Sequence, residues 1–253
     1  MSSNQTAVSE GDLVKTGEVR AKAVTAERPL RILMIAPTSF FSDYGGHIRI
    51  LEETYTLQEM GHQVAIVTYY KGSNMPGLDI RRTPPLPWRP DYEVGSSRHK
   101  IAFDVYLAWQ SLVEAVRFKP DVIHGHMHEG ALIGGVLAKL LRRPLVFDFQ
   151  GSMTAEMTDH NFLRRDGRLY RLAFRLEKFI NHMPQAILTS SIKATRLLQD
   201  EFKLPADKLV PLPDCANPDR FNPEKFTPDM KQALRQQLGI PDDRPIVAYL
   251  GLL

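Results

Sequence analysis

Residues 31–69 read RILMIAPTSFFSDYGGHIRILEETYTLQEMGHQVAIVTY. Arg31–Ala36 is a short apolar run of the kind a strand shows when both of its faces are covered. A loop carrying Gly45-Gly46 follows. A helix is expected from about His47 to Met60, stopped by Gly61. At 100° per residue Ile48, Ile50, Leu51, Tyr55 and Leu57 share one half of that helix, while Arg49, Glu52, Glu53 and Glu59 gather on the other. The charged half is expected to face water. Val64–Tyr69 is a second apolar run. Strand, glycine loop, covering helix and strand together make a βαβ unit, and hence a parallel sheet.

Working outward, the alternation continues. Residues 71–97 are rich in Pro and Gly and are expected to be loop. A helix over 99–118 precedes a strand at Asp121–His124, and a helix over 129–141 precedes a strand at Pro144–Phe149. A long helix over about 164–182 leads to a strand at Ala186–Thr189, followed by a helix over 191–202, a strand at Leu209–Leu212 and a helix over 228–238. The fold class is α/β: a Rossmann-like parallel sheet with helices on both faces. Residues 1–28, rich in Ser, Thr, Glu, Lys and Ala without an apolar block, are expected to be a disordered tail. Residues 29–243 form the main domain. Residues 244–253 end in IVAYLGLL, an apolar strand with no crossover after it, as if it opened a second domain.

The chain has 253 residues, 43% of them hydrophobic and 24% charged, enough to bury a core without disulfides or a structural metal. Its one cysteine, Cys215, excludes an internal disulfide and suits a reducing, cytoplasmic setting. A net charge of +3 gives no argument for nucleic acid. The longest mostly apolar stretch, Ala131–Leu141, contains Lys139 and falls well short of the ~20 residues that span a bilayer.

Four blocks, in this order, resemble the N-terminal half of a GT-B-fold glycosyltransferase of the retaining family 4 type. They are residues 31–68; KPDVIHGHMHEGALIGGVLAKLLRRPLVFDFQGS (119–152); PQAILTSSIKATRLLQDEF (184–202); and KLVPLPDCANPDRFNP (208–223) followed by RPIVAYLGLL. The resemblance implies an acceptor-side domain of a transferase that uses a nucleoside-diphosphate sugar as donor, with no other cofactor. It also implies a donor-side domain beyond residue 253 or on a partner subunit, so residues 1–253 alone are expected to be inactive. The acceptor is a sugar, a lipid-linked group or a small molecule. Two departures stand out: Pro213–Asn217 lacks the glycine usual in that turn, and Gln150 stands where the family often has histidine. Other functions open to such a chain are a non-catalytic binding subunit of a split transferase and a GT-B-fold sugar-nucleotide epimerase.

The candidate site residues follow from chemistry and from this resemblance. Gly45, Gly46 and His47 open a helix where backbone N–H groups attract an anion, the alternative being a plain tight turn. His124, His126 and His128 follow a strand end; with no carboxylate or cysteine pattern beside them, no metal is expected. The resemblance maps His126 onto the active-site histidine of the family. Gln150, Gly151, Ser152 and Glu156 follow the next strand end, where open parallel sheets bind ligands; they suit sugar hydroxyls, or else Ser152 or Thr154 caps a helix. Asp148 is expected to be structural. Arg164, Arg168, Arg171, Arg175 and Lys178 form a stripe ~80° wide, suited to an anionic membrane surface or an acidic acceptor, or simply to water. Leu169, Leu176 and Ile180 are expected on the core side of that helix, with Gly167 weakening its first turn.

Overall fold

A computed structural model describes residues 28–42, 45–85, 100–214, 222–241 and 244–247. Seven parallel strands form one sheet: β1 (Arg31–Ala36), β2 (Gln63–Thr68), β3 (Asp79–Arg82), β4 (Val122–His126), β5 (Leu145–Phe149), β6 (Ala186–Thr189) and β7 (Leu209–Pro211). Their order is β3-β2-β1-β4-β5-β6-β7. The chain builds outward from β1 in one direction, returns, and builds outward from β4 in the other. The β1/β4 neighbours, in register Ile32↔Val122 to Ile35↔Gly125, therefore mark the topological switch point.

The first helix, α1 (Gly45–Glu59), covers the face of β1 and β2 that carries Ile32, Met34, Val64 and Ile66. The opposite face, with Leu33, Ile35, Ala65, Val67 and Ile123, is covered by α2 (Lys100–Phe118) and α3 (Met127–Leu141). Phe147, Phe149, Ile187 and Leu209 pack with Ala131, with Ile180 of α5 (Arg168–His182) and with Leu198 of α6 (Ile192–Asp200). The period-2 alternation of each strand feeds two cores, as expected of a doubly covered sheet.

Three expectations change. Residues 79–82, expected as loop, form the edge strand β3, paired Ala65↔Asp79 to Thr68↔Arg82. Arg82 fixes it by donating to the carbonyls of Phe40 (2.6 Å), Lys71 (2.7 Å) and Ser73 (2.9 Å), which tie the loops after β1 and β2 together. The helix expected over about 164–182 is α5, which starts later, at Arg168, and a separate short helix, α4 (Met153–Asp159), stands before it where loop was expected. Gly167 is the N-cap of α5 rather than an interior residue, so it costs that helix nothing, and Arg164 lies outside it beside Asp166. The buried face of α5 is Glu177, Ile180 and Asn181, whereas Leu169 and Leu176 are 69% and 42% exposed. The helix is turned this way because Glu177 accepts the N–H groups of Met153 (3.1 Å) and Thr154 (2.9 Å) and the Thr154 hydroxyl (2.6 Å), capping α4.

The described residues up to Pro213 form one compact unit and those from Asp214 onward another. In the second, α7 (Pro228–Gln237) starts at Thr227, whose hydroxyl accepts from Met230 N at 3.3 Å, with Pro228 in the first turn. Residues 244–247 are not in a strand, and the remainder of the strand expected at 244–253 lies outside the described residues, as do the tail 1–27, Trp88 and Cys215.

Candidate functional site

The junction of β4 and α3 is set by close backbone approach. Strand β4 ends at His126, and α3 starts at Met127, which has φ 54°. A Cβ on Gly125 would lie 2.6 Å from the Gly130 carbonyl oxygen, and one on Gly130 would lie 2.5 Å from that of Ile35. Only glycines let helix α3 sit this tightly on β1 and β4.

At this switch point the even-numbered residues of β4 and β5 face α1. Asp148, fully buried, lies 2.7 Å from Arg49 Nη2 and accepts from Arg49 Nε at 2.8 Å. Its other oxygen accepts from the Gln150 amide at 2.8 Å and lies 3.2 Å from His126 Nδ1. Arg49 also donates to the Leu212 carbonyl at 2.8 Å and lies 3.1 Å from Glu53. The Asp148 carboxyl loses solvation on burial, but His126 and Arg49 more than offset this and hold it well below the usual carboxylate range. Arg49 and Glu53 therefore do not face water, as their place on the helical wheel implied. Asp148 draws Arg49 inward, and Arg49 draws Glu53.

His126 is 0% exposed, with Nε2 lacking a hydrogen-bond partner among the described residues. His124 stacks on it, ring centroids 4.4 Å apart, and lies 3.7 Å from Glu53. Burial, with the charges of His126 and Arg49, pushes His124 down to about 3, so its ring is neutral. Glu53, His124 and His126 bring their ligating atoms within 4.8 Å of one another, an arrangement able to hold a cation. The carboxylate absent from the sequence pattern comes from α1, and the Arg49 guanidinium beside it already supplies positive charge. His128 stands apart from this group, 3.4 Å from Glu177.

Gly46, in the first turn of α1, faces Gln150: a Cβ on Gly46 would lie 2.8 Å from Gln150 Oε1. Gly45 opens onto free space. His47 is buried, with Nε2 2.5 Å from Thr38 Oγ1 and Nδ1 accepting from Ser42 N at 2.9 Å, so it locks the loop after β1. Ser152 caps α4, accepting from Ala155 N at 3.2 Å. Gln150, Gly151 and Glu156 line a cleft of about 890 Å³ beyond the carboxyl ends of β4 and β5. Its remaining walls come from the starts of α2 (Lys100, Ile101, Asp104) and α3 (Met127, His128, Glu129), and from α4 and the loop after it. Arg164, Arg168, Arg171, Arg175 and Lys178 are exposed and do not line it. Sequence reasoning missed Lys100, Asp104 and Glu129, whose charges gave no pattern along the chain.

Lys100 and Glu129 form an ion pair in the cleft wall. Asp104 accepts from the Tyr69 hydroxyl at 2.6 Å, yet burial and the nearby Glu129 raise it to about 6. This sets a pH dependence of stability. As pH falls from 6.5 the unfolded chain protonates His124 and the folded chain does not, a loss of about 1.4 kcal/mol per pH unit. Between 6 and 3.8 folded Asp104 holds a proton that the unfolded chain has released, a gain of the same slope. The two oppose each other from about pH 6 to 4. Below that the gain is complete, and Asp148 and Glu177, both depressed, lose their contributions as pH falls through their folded values. His47, also lowered by burial, adds to the loss, so urea unfolding of the protein should decline from pH 6 to 4 less steeply than it would without Asp104. In Asp104→Asn the decline should begin near pH 6.5 and cost about 3 kcal/mol more by pH 4. Identical profiles for the two proteins would refute this assignment.

A doubly wound parallel sheet with a glycine-led first helix and a cleft beyond the carboxyl ends of its strands is the arrangement in which open α/β sheets bind ligands. Residues 45–215 match the model of the glycosyl transferase 4-like domain, and the chain belongs to that family. Among curated proteins none matches the sequence. The fold is that of one half of GT-B glycosyltransferases. Sucrose-phosphate synthase from Thermosynechococcus elongatus is similar with a TM-score of 0.65 and 14% identity, over 86% of this chain and 54% of that one. HepE from Anabaena, in complex with UDP and glucose, gives 0.60 and 12%, over 83% and 50%. A glycosyltransferase from Rickettsia africae gives 0.53 and 15%, over 86% and 52%. The chain thus spans about half the length of these solved structures.

Proposed function

We propose that the chain is the acceptor-side part of a retaining glycosyltransferase that uses a nucleoside-diphosphate sugar. The observation that carries this reading is Gln150, which meets Gly46 at the α1 N-terminus and also lines the cleft beyond β4 and β5 of a glycosyl transferase 4-like domain. The HepE complex with UDP and glucose supports the donor class. In the reaction the bond from sugar C1 to the diphosphate oxygen breaks, and a bond from C1 to the acceptor oxygen forms on the same face. The hydroxyl proton ends on the diphosphate. The part of this chain is positioning: Gly45 and Gly46 leave room beside a helix N-terminus for an anionic or polar group, and Gln150, held by Asp148, presents its amide oxygen near the cleft. His126, held by Asp148, is fully buried and does not line the cleft, so its part is to position Asp148 and through it Gln150.

The test is to supply the natural gene product with UDP-glucose and other nucleoside-diphosphate sugars and a panel of hydroxylic acceptors. Release of nucleoside diphosphate with product of unchanged anomeric configuration, read by NMR, is expected; inversion, or donor isomerisation without an acceptor, overturns the reading.

A second proposal concerns α5. Its exposed face carries Leu169, Leu172, Leu176 and Phe179 beside Arg168, Arg171, Arg175 and Lys178. Apolar residues at helical spacing flanked by cations suit the surface of an anionic bilayer. Among the described residues no helix is long and apolar enough to cross a membrane. The protein should cosediment with vesicles containing phosphatidylserine or phosphatidylglycerol, and binding should fall about tenfold in Leu172→Ser/Phe179→Ser. Equal binding to neutral vesicles at high salt would argue against it.

A further inference from the structure

The cleft beside Gln150 has a charge balance that selects its ligand. Its volume of about 890 Å³ lies within the range that encloses a drug- or disaccharide-sized molecule. Four charged side chains from three helices line it: Lys100 and Asp104 at the start of α2, Glu129 at the start of α3, and Glu156 in α4. The one ammonium, Lys100, is ion-paired with Glu129 and also feels the charges of Asp104 and Glu156, so three carboxylates share one cation. Asp104 is engaged by the Tyr69 hydroxyl. The Glu156 carboxylate is exposed in the cleft and makes no hydrogen bond among the described residues. His128, on the same wall, is turned to Glu177. An anion entering here meets an excess of carboxylate and no available Lys or Arg among the described lining residues. Ile101, Met127, Met153, Met157 and Phe162 add a flexible and polarisable apolar surface, and His160 lies at the same wall as Phe162.

We propose that this cleft takes a polyhydroxyl acceptor that bears an ammonium group and an apolar aglycone, the ammonium meeting Glu156 and the aglycone lying on the methionine wall, and that it rejects phosphorylated and carboxylated acceptors. The acceptor role rests on the glycosyltransferase reading; the charge preference of the cleft does not. The basic residues of α5 lie outside the cleft lining.

Three probes test it on the protein at pH 7 and low salt: hexyl glucosaminide with a free amine, hexyl glucoside and hexyl glucuronide, compared by saturation-transfer-difference NMR titration. The aminated probe should bind about fivefold tighter than the neutral one, the scale of one partly exposed ion pair, and the glucuronide should bind weakest. Glu156→Gln should remove the advantage of the amine, bringing the ratio of hexyl glucosaminide to hexyl glucoside affinity to about one, whatever it does to both affinities. Binding of the glucuronide as tight as that of the glucosaminide, an undiminished amine preference in Glu156→Gln, or no binding of any of the three overturns the proposal. If the probes rank as expected but the natural gene product transfers no sugar, the cleft preference stands and the transferase reading falls. Transfer to carboxylated acceptors with the reverse ranking upholds the transferase and overturns the cleft.

Discussion

Arg49→Met should lower the stability of the protein by about 3–5 kcal/mol, with a drop in Tm on the order of 10 °C. Arg49 is 8% exposed and holds three groups together: Asp148 of β5, Glu53 one turn along its own helix, and the Leu212 carbonyl after β7. Methionine is close in length and fills most of the space, so the loss is electrostatic rather than a cavity. The charge left behind decides the size: Asp148 is fully buried and would keep only His126 and the Gln150 amide as partners. Removing one partner of a buried pair costs far more than removing both. Arg49→Met/Asp148→Leu should therefore recover more than half of the loss in urea unfolding. A single-variant cost under about 1 kcal/mol, or a double variant no better than the single, would show that water reaches the pair.

The contrast between Arg49 and the strands shows what the sequence made legible. Runs such as RILMIA, VAIVT and LVFDF place β1, β2 and β5 within a residue, because a strand covered on both faces must be apolar at almost every position. Edge strand β3, reading DIRR, carries three charges in four residues and gave no such signal. It is held by Arg82 reaching carbonyls on two loops, a long-range feature without a local pattern. Helix α4 was missed because seven residues show little periodicity, although Ser152 was recognised as able to cap a helix there.

The site was legible in part for the same reason. Gln150, Gly151 and Glu156 were found because ligands gather after strand ends, and they do line the cleft. A helical wheel counts Arg49 and Glu53 as polar and turns them to water. Their burial depends on Asp148, 99 residues away from Arg49 in sequence. The one local hint was Asp148 itself, a lone acid inside an apolar strand, which requires a buried partner. Leu169 and Leu176 misled in the opposite sense, because the inward face of α5 is fixed by Glu177 capping another helix.

The second large effect concerns backbone rather than charge. Gly130→Ala should destabilise by about 3 kcal/mol or more, since its Cβ would lie 2.5 Å from the Ile35 carbonyl oxygen and 3.2 Å from Pro37 Cδ. Neither neighbour can swing away: Ile35 is paired in the centre of the sheet, and Pro37 is a rigid ring directly after β1. Helix α3 would have to lift from β1, loosening the contact of Ala131 with the Phe147 and Phe149 cluster. The same lift moves Met127, His128 and Glu129 at the head of α3, so the cleft should widen and its ligand preference weaken together with stability. Gly151→Ala is the matched control, since a Cβ there meets nothing within 4 Å, and its unfolding free energy should change by less than about 0.5 kcal/mol. Equal stabilities of the two variants in urea unfolding would mean that β1 and α3 are not packed as closely as this geometry requires.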